Sequence, residues 1–298
     1  MSETGSDVGE STRLSVRKTY KLFIGGAFPR SESGRSYVVN DASGNFLANA
    51  ALASRKDVRD AVVAARAAVK KWSGATAYNR GQVLYRVAEM LEGRREQFIA
   101  EVAASEGVSA SVAESSTDAA IDRWVWYAGW SDKIAQVVGS SNPVAGPFFD
   151  FSLPEPTGVV AIIAPQNSSL LGLVSVISPV IATGNTVVVI ASEQRPLPAV
   201  TLTEVLATSD LPGGVVNVLT GKVSELAPWL ASHLDVNGID LSCAPPEQAV
   251  DLERAAAENL KRVLKPDHAS EPDWNADPGL ARLTAFLETK TVWHPIGV

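Results

Sequence analysis

The side chains best suited to covalent chemistry in this sequence are few: one cysteine, Cys243, and three histidines, His233, His268 and His294. A thiol beside an imidazole makes an activated nucleophile, and a Cys/His cluster holds zinc. Neither spacing is present. Cys243 stands alone in Leu241-Ser-Cys-Ala244 at the end of an apolar run, where a lone cysteine serves as a small packing residue. His233 follows a helical stretch, His268 falls in a polar linker and His294 is near the last residue, none with a visible triad partner. The single cysteine closes no intramolecular disulfide, and no metal site is expected. The other polar candidates, Asn167 and Glu193, stand with Gly221 just beyond short apolar runs.

Those runs must position them. Residues 159–164, 186–189, 215–219 and 236–241 are short, apolar and β-branched, and helix-length segments at about 168–182 and 196–208 separate the first three. Continuous apolar runs alternating with helices mark strands buried on both faces of a parallel sheet. The fold class expected is therefore α/β, a Rossmann-like parallel sheet with flanking helices. Such sheets bind ligands at the carboxyl ends of their strands, here 165–167, 190–193, 220–221 and 242–244. No G-x-G-x-x-G follows any strand, so periodicity supports the sheet without naming a dinucleotide.

Short strands are expected at 21–24 and 35–39, and helices at about 55–72, 79–106, 111–137 and 251–263. The first helix carries Val58, Ala61, Val62, Ala65 and Val69 at three- and four-residue steps, with Lys70 and Lys71 in its last turn, where cations suit the helix dipole. Around 139–155 a turn of Ser, Asn, Pro and Gly precedes alternating aromatic and polar residues, which reads as a β-hairpin. After a polar stretch at 265–279 and a short helical turn near 280–284, residues 286–293 form a terminal strand. Residues 1–17 have no apolar period and read as a flexible tail.

Composition narrows the class. Of 298 residues 46% are apolar and 20% charged, enough for a sizeable core, and 26 Lys and Arg against 33 Asp and Glu give a net charge of −7, the wrong sign for a nucleic-acid binder. No leader pattern and no run of about 20 apolar residues is present, so a cytoplasmic protein that does not span the membrane is expected.

Several strings, in this order, resemble the NAD(P)-dependent aldehyde dehydrogenases: Asp57-Val-Arg-Asp-Ala-Val-Val-Ala-Ala-Arg-Ala-Ala68 with Trp72, Trp126-Tyr-Ala-Gly-Trp130, Pro156-Thr-Gly-Val-Val160, Pro165-Gln-Asn167, Gly184-Asn-Thr-Val-Val188, Ser192-Glu193, Leu211-Pro-Gly-Gly-Val-Val-Asn217 and Gly221. Leu287-Glu-Thr-Lys-Thr-Val292 resembles the family's C-terminal strand. The resemblance implies a cofactor domain at 18–138 and 156–264, and an oligomerisation β element at 139–155 and 280–298. A linker at 265–279 replaces the catalytic domain: neither the Glu-Leu-Gly-Gly string of the general base nor the cysteine nucleophile's string follows residue 263.

By the same resemblance Asn167 is a vestigial oxyanion-hole residue, and Asn167, Glu193 and Gly221 are the cofactor-binding candidates. Ile190 replaces a ribose-binding lysine, a loss of about 1.5–3 kcal/mol. Cys243 matches a position beside the cofactor pyrophosphate and not the nucleophile, and Ala244-Pro-Pro246 brings two donor-less residues to a helix start that would otherwise bind an anion. No catalytic residue and no cofactor are expected, with any NAD(P) binding weak. Phe149, Phe151, Leu153, Phe286, Thr289, Thr291 and Trp293 form the expected interface, because in the family this β element packs on a neighbouring subunit's catalytic domain. The expected function is a catalytically inactive subunit assembling with a full-length aldehyde dehydrogenase. Two alternatives stand beside it: a degenerate NAD(P)-dependent oxidoreductase, and a homo-oligomeric scaffold.

Overall fold

The computed structural model describes residues 18–266 and 271–297; the expected tail at 1–17 and His268 lie outside them. An antiparallel ribbon comes first, β1 (Ser36–Asn40) with β2 (Phe46–Ala51). The 21–24 segment is not a strand. It makes only isolated bridges, between Phe23 and Val218 and between Ile24 and Ala27.

Helix α1 (Arg55–Ser73) starts where Ser54 and Asp57 cap each other: the Ser54 hydroxyl accepts from the Lys56 and Asp57 amides, and the Asp57 carboxylate accepts from the Ser54 amide at 2.7 Å. The expected 79–106 helix is two, α2 (Ala77–Glu92) and α3 (Arg95–Glu106), because the chain turns at Gly93 and Arg94. The 111–137 helix likewise breaks into α4 (Ala110–Trp130) and α5 (Ile134–Val138). An apolar stripe at helical spacing continues across such a turn, so periodicity alone does not reveal the break. The hairpin follows as β3 (Ser140–Asn142) and β4 (Phe148–Pro156).

The central unit runs β5 (Val159–Ile163), α6 (Leu171–Ala182), β6 (Thr186–Ile190), α7 (Leu197–Ala207), β7 (Val216–Leu219), α8 (Val223–Ser232), β8 (Gly238–Asp240), α9 (Pro246–Ala257) and β9 (Arg262–Leu264). The helix expected at 251–263 thus starts earlier, at the prolines, and ends at Ala257, with its last residues forming β9. All five strands are parallel, in the order β7-β6-β5-β8-β9. Alternate residues feed two cores: Val160, Ile162, Val187 and Val189 pack with α4, α6 and α7, while Val159, Ala161, Ile163, Val188 and Ile190 pack with α1, α8 and α9. Burial on both faces explains the unbroken apolar runs.

A short helix α10 (Ala281–Thr284) leads to β10 (Leu287–Pro295), which pairs antiparallel with β4 from Leu287 opposite Pro156 to Pro295 opposite Phe148. The small sheet has the order β10-β4-β3. Among the described residues no helix is long and apolar enough to cross a membrane, and no cluster of His, Cys, Asp and Glu is suited to a metal ion.

Candidate functional site

The crossovers reverse direction between β5 and β8, so the loops after these adjacent strands diverge and leave a crevice at the carboxyl edge of the sheet, the usual ligand position in doubly wound folds. On the β5 side, the Gln166 and Asn167 amides both donate to one oxygen of Glu271, at 2.5 and 2.7 Å. The Ser169 amide and hydroxyl donate to Glu106 at 2.6 and 2.7 Å. On the β8 side, Arg282 donates to Asp240 at 2.8 Å and to the Ser242 hydroxyl at 3.0 Å.

Between these two sides the chain itself fills the space. Trp274 is buried, its indole lies 5.0 Å beneath the Arg282 guanidinium, and Arg123 donates to the carbonyls of Trp274 and Ala276 at 2.7 and 3.2 Å. A Cβ on Gly172 would stand 2.9 Å from the Trp274 indole nitrogen, so glycine is what lets the indole lie against α6. Residues 271–282 are therefore a strap across the crevice, packed and hydrogen-bonded at both ends.

Asn167 is exposed and borders a groove of about 580 Å3 shared with Glu106, Glu271 and Trp274. Its backbone carbonyl and side-chain oxygen both accept from Arg195, at 2.7 and 3.3 Å. Glu193 and Gly221 border a different cavity of about 480 Å3, between the β1–β2 ribbon and the loops after β6 and β7. Among the described residues these two cavities separate Asn167 from Glu193 and Gly221. The two sides are linked one step removed: the Glu193 amide donates to the Gln166 side chain at 3.0 Å. The Glu193 carboxylate accepts from the Val223 amide at 2.5 Å and so caps α8. Gly221 holds φ +149°, a region L side chains rarely enter, which is a backbone reason for glycine there.

The positions that the resemblance sets beside a cofactor have the following surroundings. Ile190 is fully buried in the core, Pro245 and Pro246 open α9 with no N–H to offer, and the Ser242 hydroxyl is held by Arg282. Burial, reinforced by the Asp240 charge, pushes the Cys243 thiol up to about 12, and the thiol lies 3.8 Å from the Ser242 hydroxyl. That is the opposite of an activated nucleophile. His233 is half-buried, with its pKa lowered by burial, and its Nδ1 accepts from the Asp235 amide at 3.1 Å. His294 is exposed on β10 opposite Phe149.

The expected interface residues divide three ways. Phe149, Phe151 and Leu153 share one face of the small sheet, with Phe149 51% and Leu153 43% exposed. Thr289, Thr291 and Trp293 lie on the opposite face, opposite Pro154, Ser152 and Asp150, where Asn142, Asp150, Ser152 and Thr291 form a hydrogen-bonded row. Phe286 is a correction: at 2% exposure it is a core residue against Gly238 and offers no surface to a partner. Sequence reasoning also passed over Glu271, Trp274, Arg123 and Arg282. One signal was available for them, a tryptophan inside the otherwise polar 265–279 stretch.

A doubly wound parallel sheet with a crevice at its switch point places the chain in the Rossmann-like class of α/β proteins. Within that class it belongs to the aldehyde dehydrogenase family, whose family model matches residues 28–265. The cytosolic aldehyde dehydrogenase 1 of Elephantulus edwardii is 33% identical over 266 residues, 88% of this chain and 52% of that protein. The cytosolic 10-formyltetrahydrofolate dehydrogenase of Mus musculus is 32% identical over 259 residues, 84% of this chain and 28% of that protein. Among solved structures, an NAD+ complex of an aldehyde dehydrogenase from Bacillus cereus superposes with a TM-score of 0.77 at 27% identity, covering 83% of this chain and 50% of that one. The chain thus spans about half the length, or less, of the relatives it matches.

Proposed function

We propose that this chain is a non-catalytic aldehyde-dehydrogenase-like subunit that assembles with a full-length aldehyde dehydrogenase and supports or regulates it. The observation that carries this reading is the aromatic face of the small sheet. Phe149 and Leu153 stand 51% and 43% exposed on a fully paired β4–β10 ribbon, flanking Phe151. An apolar patch on an ordered sheet is costly to leave in water and fits burial against another chain. The state of Cys243 and the commitments of Glu193, Ile190 and Ser242 support a role without thiol catalysis and without NAD(P).

Co-expression with a full-length family member tests it. Native mass spectrometry should show a heteromer for the natural chain and none for the Phe149→Ser, Leu153→Ser double variant. A purified chain that is monodisperse by itself and does not co-elute with the full-length enzyme would overturn the reading. Aldehyde oxidation by the isolated chain would overturn it as well.

A further inference from the structure

The loop after β5 offers two consecutive amides, from Gln166 and Asn167, to a single carboxylate oxygen of Glu271. Arg195 bonds to the same loop at the Asn167 carbonyl, so a cation stands beside the amide pair. The second Glu271 oxygen lies 3.4 Å from the Trp274 indole nitrogen. Two amides, a nearby guanidinium and an indole N–H are the donor set of a carboxylate site, and the occupant comes from this chain, 104 residues away from Asn167.

We infer that the Gln166–Asn167 amide pair is a carboxylate-binding site that the chain keeps closed with its own Glu271, and that residues 271–282 are an internal plug of the crevice. Glu271 is the ligand and the far end is the anchor. Arg282 on Asp240, the Trp274 indole against Gly172 and Arg123 on two strap carbonyls hold the plug in register. An external carboxylate reaches the amides only when Glu271 is absent or displaced. The ligand class is a small carboxylate, since the geometry is one oxygen bridging two adjacent N–H groups. This inference is independent of the subunit reading, since it concerns the isolated chain.

The test is chemical rescue on the whole chain, read by hydrogen exchange of the peptide spanning 164–170. In the natural chain the two amides should exchange slowly, and millimolar acetate should change nothing. In Glu271→Gly they should exchange at least tenfold faster while β6 keeps its protection, and acetate should restore protection in proportion to its concentration. Glu271→Gln keeps the shape and a neutral acceptor, and should speed exchange several-fold, because charge-assisted bonds are about twice as strong as neutral ones. If Glu271→Gly loses protection throughout the sheet, the glutamine variant carries the test. Unchanged exchange in the folded glycine variant would overturn the inference. So would rescue by inorganic phosphate but not by acetate, or acetate binding to the natural chain as tight as to the variant.

Discussion

Arg282 places Nη1 2.8 Å from Oδ2 of Asp240, a carboxylate whose side chain is only 1% exposed. This ion pair ties α10 to the end of β8, so the C-terminal segment is fastened to the parallel sheet before β10 leaves to pair with β4. Removing the guanidinium strands a buried charge, which costs about 3–5 kcal/mol. Arg282→Ala should therefore lower the urea midpoint by that amount of stability, and Arg282→Ala with Asp240→Asn should recover part of it. A loss below about 1 kcal/mol, the range of surface pairs, would show that Asp240 is solvated after all.

The same segment is held by shape. A Cβ on Gly238 would stand 2.7 Å from a ring carbon of Phe286, closer than real contacts permit. Gly238→Ala should destabilise by about 1–3 kcal/mol through overpacking. Adding Phe286→Leu should return some of that loss. Full stability for Gly238→Ala in guanidinium unfolding would mean that the ring moves freely.

Lys261 gives a pH signature. Burial lowers its pKa to about 8 from an ordinary 10.5, while the His233 carbonyl and the Asn259 side chain accept from its ammonium at 2.8 and 2.5 Å. Between these two values the unfolded chain holds a proton that the folded chain has released, so stability from this group rises with pH across that window. Below the folded value both states are charged and the penalty is fully present. Comparing unfolding midpoints at several pH values, the natural chain minus Lys261→Met should show this rise. A flat difference would contradict it.

Cys243 should be inert. With the thiol buried and pushed up to about 12, alkylation by iodoacetamide at mild alkaline pH should run at least a hundredfold slower than in the denatured chain, since only the thiolate reacts. Mass spectrometry of the labelled peptide reads this directly. Labelling at the rate of a free thiol would mean the site opens.

Much of the fold is legible in the residues. The runs at 159–164, 186–189 and 215–219 predict buried parallel strands, and Val58, Ala61, Val62 and Ala65 predict the face of α1, because burial on two faces or on one stripe writes a local period into the chain. Breaks are less legible. The turn at Gly93 and Arg94 leaves the apolar stripe intact, and the prolines that start α9 are equally at home in a loop.

The site is less legible still. Asn167, Glu193 and Gly221 stand just beyond the carboxyl ends of their strands, since strand direction and strand ends follow from sequence order. Yet Asn167 borders one cavity while Glu193 and Gly221 border another, and Phe286, aromatic and next to an exposed strand, belongs to the core. Alternation assigns residues to two faces of a strand, but Phe286 precedes the paired part of β10.

By sequence alone this chain is an α/β protein of the aldehyde dehydrogenase type with one unpartnered thiol and a hairpin suited to a terminal strand, all of which follow from local pattern and residue identity. The tertiary structure alone decided that Glu271 closes the Gln166–Asn167 amides, that Arg282 neutralises Asp240 and that Trp274 fills the notch at Gly172. Those pairings join residues far apart in the chain, and no periodicity encodes a contact whose partners meet only after the sheet has formed.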